Sequence, residues 1–228
     1  GTTDRLYSIS SIDGQTAYIV GIRGTILKTT NSGITWLKIN KGISTTFNVL
    51  SFIDKNNGWV TGDGGAVVKT SDGGNTWNRI GDIDTTRQVN IVALVFVTDK
   101  IGYASSGLGS YKTSNGGISW QYYSDNELND KFYFVNKKIG YKLRMGIINF
   151  STLAATSDSG STWIDLQTIS GRLNGLYFIT DSLGWIVGDS GRIYKTSNAG
   201  NSWQKLSGGT TRLLTSVYFS TIQNGWAV

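Results

Sequence analysis

The side chains that could carry chemistry in this 228-residue chain are few in kind. There are eight arginines, thirteen lysines, fourteen aspartates and one glutamate, Glu127, with no histidine and no cysteine. The two absences exclude thiol nucleophiles, imidazole bases, Ser-His-Asp triads and the usual zinc and copper sites. Glycosidase chemistry needs two carboxylates at a set separation, and fourteen aspartates leave that open. Turns such as Gly62-Asp-Gly-Gly65 join strand to strand with no following helix, so they are not phosphate-binding loops. No cofactor is implied. The net charge of +6 favours acidic partners. Arginine is best suited to them, because its rigid fork of donors fits carboxylate and phosphate and recurs at binding hot spots.

One motif sets the elements that must position these groups. It occurs as Thr29-Thr-Asn-Ser-Gly-Ile-Thr-Trp36, Thr70-Ser-Asp-Gly-Gly-Asn-Thr-Trp77, Thr113-Ser-Asn-Gly-Gly-Ile-Ser-Trp120, Thr156-Ser-Asp-Ser-Gly-Ser-Thr-Trp163 and Thr196-Ser-Asn-Ala-Gly-Asn-Ser-Trp203. The closing tryptophans are 41, 43, 43 and 40 residues apart, the mark of a repeat architecture. The third position (Asn31, Asp72, Asn115, Asp158, Asn198) is expected to form an Asx-turn, and the glycine two residues on to take a positive φ. The hydroxyls at the first and seventh positions are expected to bind leftover backbone groups. The tryptophan is expected to plug the core, where truncation would cost about 3–5 kcal/mol.

Around each motif lie short runs rich in branched and aromatic residues, such as Phe47–Ile53, Ile91–Val97 and Leu173–Ile179. These read as strands. A second strand opens on an aromatic (Tyr18, Trp59, Tyr103, Tyr141, Trp185, Trp226), a glycine-rich turn leads to a short third strand, and the motif leads to a fourth. Four antiparallel strands per unit of about 40 residues predict an all-β propeller. It would be a single domain over 1–228, with blades near 5–42, 43–84, 85–124, 125–169 and 170–209, and half of a sixth over 210–228. A closed ring would need two further strands, so a truncated ring is expected. No apolar run is long enough to span a membrane, and no secretory signal stands at the start.

These residues resemble the Asp-box or BNR repeat, shared by sialidases, some endoglucanases, sortilin-type receptors and photosystem II assembly factors. Gly58–Trp77 and Gly184–Trp203 look like the photosystem II stability/assembly factor subgroup. That resemblance implies structural boxes set away from the binding face, and a protein-binding role in assembly of a membrane complex. It also implies an extracytoplasmic location, whose targeting segment is not present in this chain. Asparagine at three of five boxes drops a charge and argues against a metal there. Sialidases, as the resemblance describes them, use a Tyr nucleophile with Glu, an arginine triad and an Asp acid/base and carry an arginine-proline motif, whereas this chain has one glutamate and no proline. The endoglucanases of this type set their cleft between two propellers, and one is expected here. The chain is therefore read as non-enzymatic.

The arginines fall unevenly on this scheme. Arg23, Arg144 and Arg192 lie in or beside second-to-third-strand turns, and Arg5, Arg87, Arg172 and Arg212 in interblade connections. All seven are expected on one face as a partner-binding set, with Arg79 elsewhere. A protein partner, within a membrane-protein complex, is the first reading, and a secreted glycan-binding or glycosidase-related module the second. A basic face without an aromatic-and-basic motif makes a poor case for nucleic acid. Lys28, Lys69, Lys112 and Lys195 each stand just before a box and are expected to guard a solvated strand edge. The fourth repeat departs from the others: Lys142–Phe150 lengthens its second-to-third hairpin, and Tyr122–Asp130 precedes it as an aromatic, acidic connection. Both are candidate binding loops.

Overall fold

The computed structural model describes residues 2–39, 42–123, 128–145 and 149–228. The chain forms two compact units, Gly1–Asp125 and Asn126–Val228. The first unit holds three four-stranded antiparallel sheets. They are β1 (Leu6–Ser11), β2 (Ala17–Gly21), β3 (Ile26–Thr29) and β4 (Leu37–Lys38); β5 (Phe47–Phe52), β6 (Gly58–Gly62), β7 (Ala66–Thr70) and β8 (Asn78–Asp82); and β9 (Ile91–Phe96), β10 (Gly102–Ser106), β11 (Gly109–Thr113) and β12 (Gln121–Tyr123).

The second unit holds two more such sheets and one of two strands. They are β13 (Leu128–Phe134), β14 (Gly140–Met145), β15 (Phe150–Thr156) and β16 (Ile164–Ser170); β17 (Leu173–Phe178), β18 (Gly184–Gly188), β19 (Ile193–Thr196) and β20 (Gln204–Leu206); and β21 (Val217–Phe219) with β22 (Gly225–Ala227). Every sheet pairs its strands in chain order, so each is one meander of the repeat. β21 begins at Val217, and ahead of it the Leu214 amide donates to the Gly188 carbonyl. Among the described residues no helix is long and apolar enough to cross a membrane.

The core lies between successive sheets, and a recurring aromatic joint holds it. The second-strand aromatic of one sheet stacks on a first-strand phenylalanine of the next. The ring centroids are 4.2 Å apart for Tyr18–Phe52, 3.8 Å for Trp59–Phe96, 3.7 Å for Tyr141–Phe178 and 3.6 Å for Trp185–Phe219. The box tryptophan of the second sheet then meets the phenylalanine edge-on, as Trp77 does Phe52, Trp120 does Phe96 and Trp203 does Phe178. The phenylalanine lies flat on the glycine that opens the second strand, and a Cβ at Gly58 or Gly184 would overlap the ring. The tryptophan of the box is therefore not the plug. Trp36, Trp77, Trp120, Trp163 and Trp203 are all partly exposed, whereas Tyr18, Trp59, Tyr103 and Tyr141 are buried. The box sits at the end of the sheet, and the second strand faces the neighbouring sheet along its length.

The lysines before the boxes also differ from expectation. They lie on third strands paired on both sides, so they guard no edge. Lys28, Lys69, Lys112 and Lys195 face the second-strand aromatics across the ladder, and Lys69 Nζ lies 4.9 Å from the Trp59 ring centre. This is a cation–π contact with an aliphatic stem packed on the sheet. Position 155 of the fourth sheet is the exception, an alanine opposite Tyr141.

Candidate functional site

Each sheet has two ends of different chemistry. At one end the box docks on the turn between the first and second strands: Ser32, Gly73, Gly116, Ser159 and Ala199 donate their amides to Gln15, Asn56, Lys100, Lys138 and Ser182. Inside the box, the first hydroxyl and third side chain act together. Thr70 Oγ1 donates to Asp72 Oδ1 and accepts the Gly74 amide at 2.8 Å, while Asp72 Oδ1 accepts the Thr76 amide at 2.9 Å. The seventh hydroxyl binds the third side chain rather than the backbone. Thr76 and Thr162 donate to Asp72 and Asp158 Oδ2, whereas Asn31, Asn115 and Asn198 donate their Nδ2 to Thr35, Ser119 and Ser202. The exchange works with either residue because a hydroxyl donates to a carboxylate and accepts from an amide.

These bonds hold both aspartates down to about pH 2, through the Thr76 hydroxyl and amide for Asp72 and the Thr162 amide and hydroxyl for Asp158. Both oxygens of each carboxylate are used within its own box, so the arrangement is a closed turn. The expected positive φ is present at Gly33, Gly74, Gly117, Gly160 and Gly200, and also one residue earlier, where Ser32, Ser159 and Ala199 adopt it without being glycine.

At the other end of the first, second and fifth sheets, second-to-third-strand turns hydrogen-bond the connections between sheets. In the first unit, Ile22 donates to Arg5 O and Gly24 to Thr45 O, Asp63 donates to Thr46 O, and Ile83 to Gly65 O. Arg5, Arg23 and Arg87 all lie along this row and are exposed. Arg23 has φ 54°, a left-handed conformation, and its Nη1 is 3.5 Å from Asp4. Asp4 also accepts from the buried Thr25 hydroxyl at 2.6 Å, which holds its pKa below the ordinary value. Arg87 lies 3.9 Å from Asp84 and stacks 4.6 Å above the Tyr122 ring centre. Burial raises the Asp84 pKa, but the Thr86 hydroxyl and the Thr86 and Arg87 amides outweigh it and the net shift is down. Arg79 lies on β8, paired with Asp82.

In the second unit three arginines meet at one turn, Gly188–Gly191. Asp189 donates its amide to Arg172 O at 2.9 Å, Gly191 donates to Arg212 O at 2.7 Å, and Arg192 follows the turn directly. The Arg192 guanidinium lies over Gly171 and donates to Asp189 O at 3.0 Å. Arg172 and Arg212 are exposed and, among the described residues, have no ion-pair partner. An open cavity of about 620 Å³ beside the turn is lined by Lys205, Gly208, Thr210 and Arg212, with no carboxylate in its wall. Arg144 is different. It lies within β14, side chain largely buried, in an ion pair with Asp165 across the sheet, so it does not stand with the turn arginines.

Of the two candidate loops of the fourth repeat, residues 124–127 and 146–148 lie outside the described residues. Asp130, the last residue of the first loop, forms a buried ion pair with Lys142 at 3.7 Å. Among the described residues no group of three or more acidic, His or Cys side chains gathers as a metal site would. Sequence reasoning missed Asp4, Asp84 and Lys205. It also missed the aromatic joint, although a phenylalanine six residues before the strand-opening glycine recurs at Phe52, Phe96, Phe134, Phe178 and Phe219.

Residues 1–122, more than half of the chain, match the family model described as photosynthesis system II assembly factor YCF48. The chain belongs to this family. Among solved structures, YCF48 bound to a D1 peptide is 17% identical with a TM-score of 0.56, covering 99% of this chain and 90% of that one. YCF48 from Cyanidioschyzon merolae is 16% identical with a TM-score of 0.57, covering 99% and 92%. The GH74 xyloglucanase from Xanthomonas campestris is 10% identical with a TM-score of 0.71, covering 93% of this chain and 41% of that one. A comparison with curated proteins finds no match. The fold is the β-propeller type of the YCF48 family, built from four-stranded antiparallel blades as the repeat led one to expect.

Proposed function

We propose that this chain is a non-catalytic binding scaffold, an assembly factor that engages a carboxylate-bearing segment of a membrane-protein complex in an extracytoplasmic compartment. The observation that carries the reading is the Gly188–Gly191 turn, which ties Arg172 and Arg212 by their backbones and leaves both guanidinium groups without an acidic partner among the described residues. Two unneutralised guanidinium groups beside an acid-free cavity suit an extended acidic segment, which they would hold by charge-assisted forked hydrogen bonds. Family membership and the D1 peptide held by the solved relative support a peptide ligand. Arg5, Arg23, Arg87 and Arg192 would widen the surface, while Arg144 is withdrawn from the set by its own ion pair.

Fluorescence anisotropy with a labelled D1 peptide tests this, using the native chain and the Arg172→Glu/Arg212→Glu variant. Reversal of two contacting charges should weaken binding by about 100-fold. Equal binding by both proteins would move the site elsewhere. The likeness to the xyloglucanase favours a second reading, a glycan-binding module. Binding of xyloglucan oligosaccharide with no binding of the peptide would put that reading first.

A further inference from the structure

The fourth and fifth sheets enclose an open cavity of about 410 Å³ at their box end, lined by Tyr141, Ala155, Leu166, Asp181, Ala199 and Asn201 among others. It is the place that a lysine of the repeat fills between the first and second sheets. There Tyr18 stacks on Phe52, Lys28 sits opposite Tyr18 with its Nζ 5.5 Å from the ring centre, and that Nζ donates to Gly73 O at 2.7 Å. The Tyr18 hydroxyl donates to the same carbonyl at 2.6 Å. Between the fourth and fifth sheets Tyr141 stacks on Phe178 in the same way, but the residue opposite is Ala155. The carbonyl equivalent to that of Gly73 belongs to Ala199. It has lost both donors: the lysine is absent, and the Tyr141 hydroxyl turns to Asp181 O at 2.7 Å.

We propose that this cavity is a binding site for a lysine side chain presented by a partner protein. The chain's own Lys28 is the template. An incoming stem would lie on Ala155 and Leu166, and its ammonium would reach the Ala199 carbonyl, with Asp181, one of the lining residues, supplying the opposite charge. The Ala199 methyl does not block it. A Cβ built at Gly73, the equivalent position, lies 3.8 Å from Lys28 Nζ, an ordinary van der Waals contact. The site is at the end of the sheets opposite the arginine turns and does not rest on the reading of those turns.

The test is a titration of the isotope-labelled chain with Nα-acetyl-lysine methylamide, followed by amide chemical shifts. The matching norleucine compound, which keeps the stem and lacks the ammonium, is the control. Saturable shifts confined to Ser157, Asp181, Ala199 and Asn201 are expected with the lysine compound, and about tenfold weaker binding with norleucine. Ala155→Lys should abolish the response by filling the cavity from within, with Tm unchanged or raised. Asp181→Asn, which leaves the packing in place, should weaken it by about threefold. An equal response to norleucine, shifts that persist in folded Ala155→Lys, indifference to Asp181→Asn, or no saturable shift in the native chain would each overturn the proposal.

Discussion

The arginine-bearing turns of the two units occupy the same place in the repeat and differ in electrostatic completeness. In the first unit Arg23 and Arg87 each lie beside an aspartate, at 3.5 Å from Asp4 and 3.9 Å from Asp84, and only Arg5, tied by its carbonyl to the Ile22 amide, has no ion-pair partner among the described residues. In the second, Arg172 and Arg212 are held by their backbones and have no such partner among the described residues. Position in a repeat therefore does not decide availability. A guanidinium answered within the chain gains little from a carboxylate of a partner, because the new contact must replace the old one. An unanswered one offers its full hydrogen-bonding capacity.

Matched charge reversals break or sharpen this comparison most directly. Against the 100-fold loss expected for Arg172→Glu/Arg212→Glu, Arg23→Glu/Arg87→Glu should weaken peptide binding by only about threefold, as a peripheral charge effect. Equal losses by anisotropy would erase the distinction between the units. A smaller effect tests what Arg23 costs the fold. Its φ of 54° matches the conformations of Gly64 and Ser190 in the other turns. Arg23→Gly should raise stability by up to about 1 kcal/mol in urea unfolding, with peptide affinity changed less than twofold. A loss of stability would mean that the ion pair with Asp4 outweighs the strain.

The smallest expected effect is acid sensitivity. Asp4 and Asp84 have folded pKa values below the ordinary aspartate value. Their contribution is complete above about pH 4 and is lost as pH falls through the lower folded values. Amide exchange at Ile22 and Gly24, which the Asp4 region braces, should rise over that window once the intrinsic pH dependence is removed. Exchange at Gly191, whose turn has no arginine-aspartate pair, should not follow the same curve. Parallel curves would count against a role for the two aspartates.

Much of the fold was legible because the box is a local device. Thr70, Asp72, Gly74 and Thr76 satisfy one another within a few residues, so their spacing alone shows the turn and its period. The joint between sheets was harder to read. Phe52 belongs with Tyr18 of the preceding repeat and Trp77 of its own, and periodicity does not say which copies touch. The same limit misplaced the lysines: their regularity was visible, but Lys69 opposite Trp59 is a matter of register. At the arginine turns the sequence showed where the charges stand. It did not show which were neutralised, because Asp4 reaches Arg23 only after β1 and β2 pair.

The aromatic joints also give the molecule an optical consequence. Of the four joints described above, those of Tyr18 and Tyr141 are built on tyrosine, and those of Trp59 and Trp185 on tryptophan. One indole in each unit is thus buried face to face on a phenylalanine, shielded from water, while the box indoles are partly wet. With the other tryptophans changed to phenylalanine, emission from Trp59 would register separation of the second and third sheets alone. Emission from Trp185 would do so for the last pair. Each unit carries its own native reporter of a single seam opening.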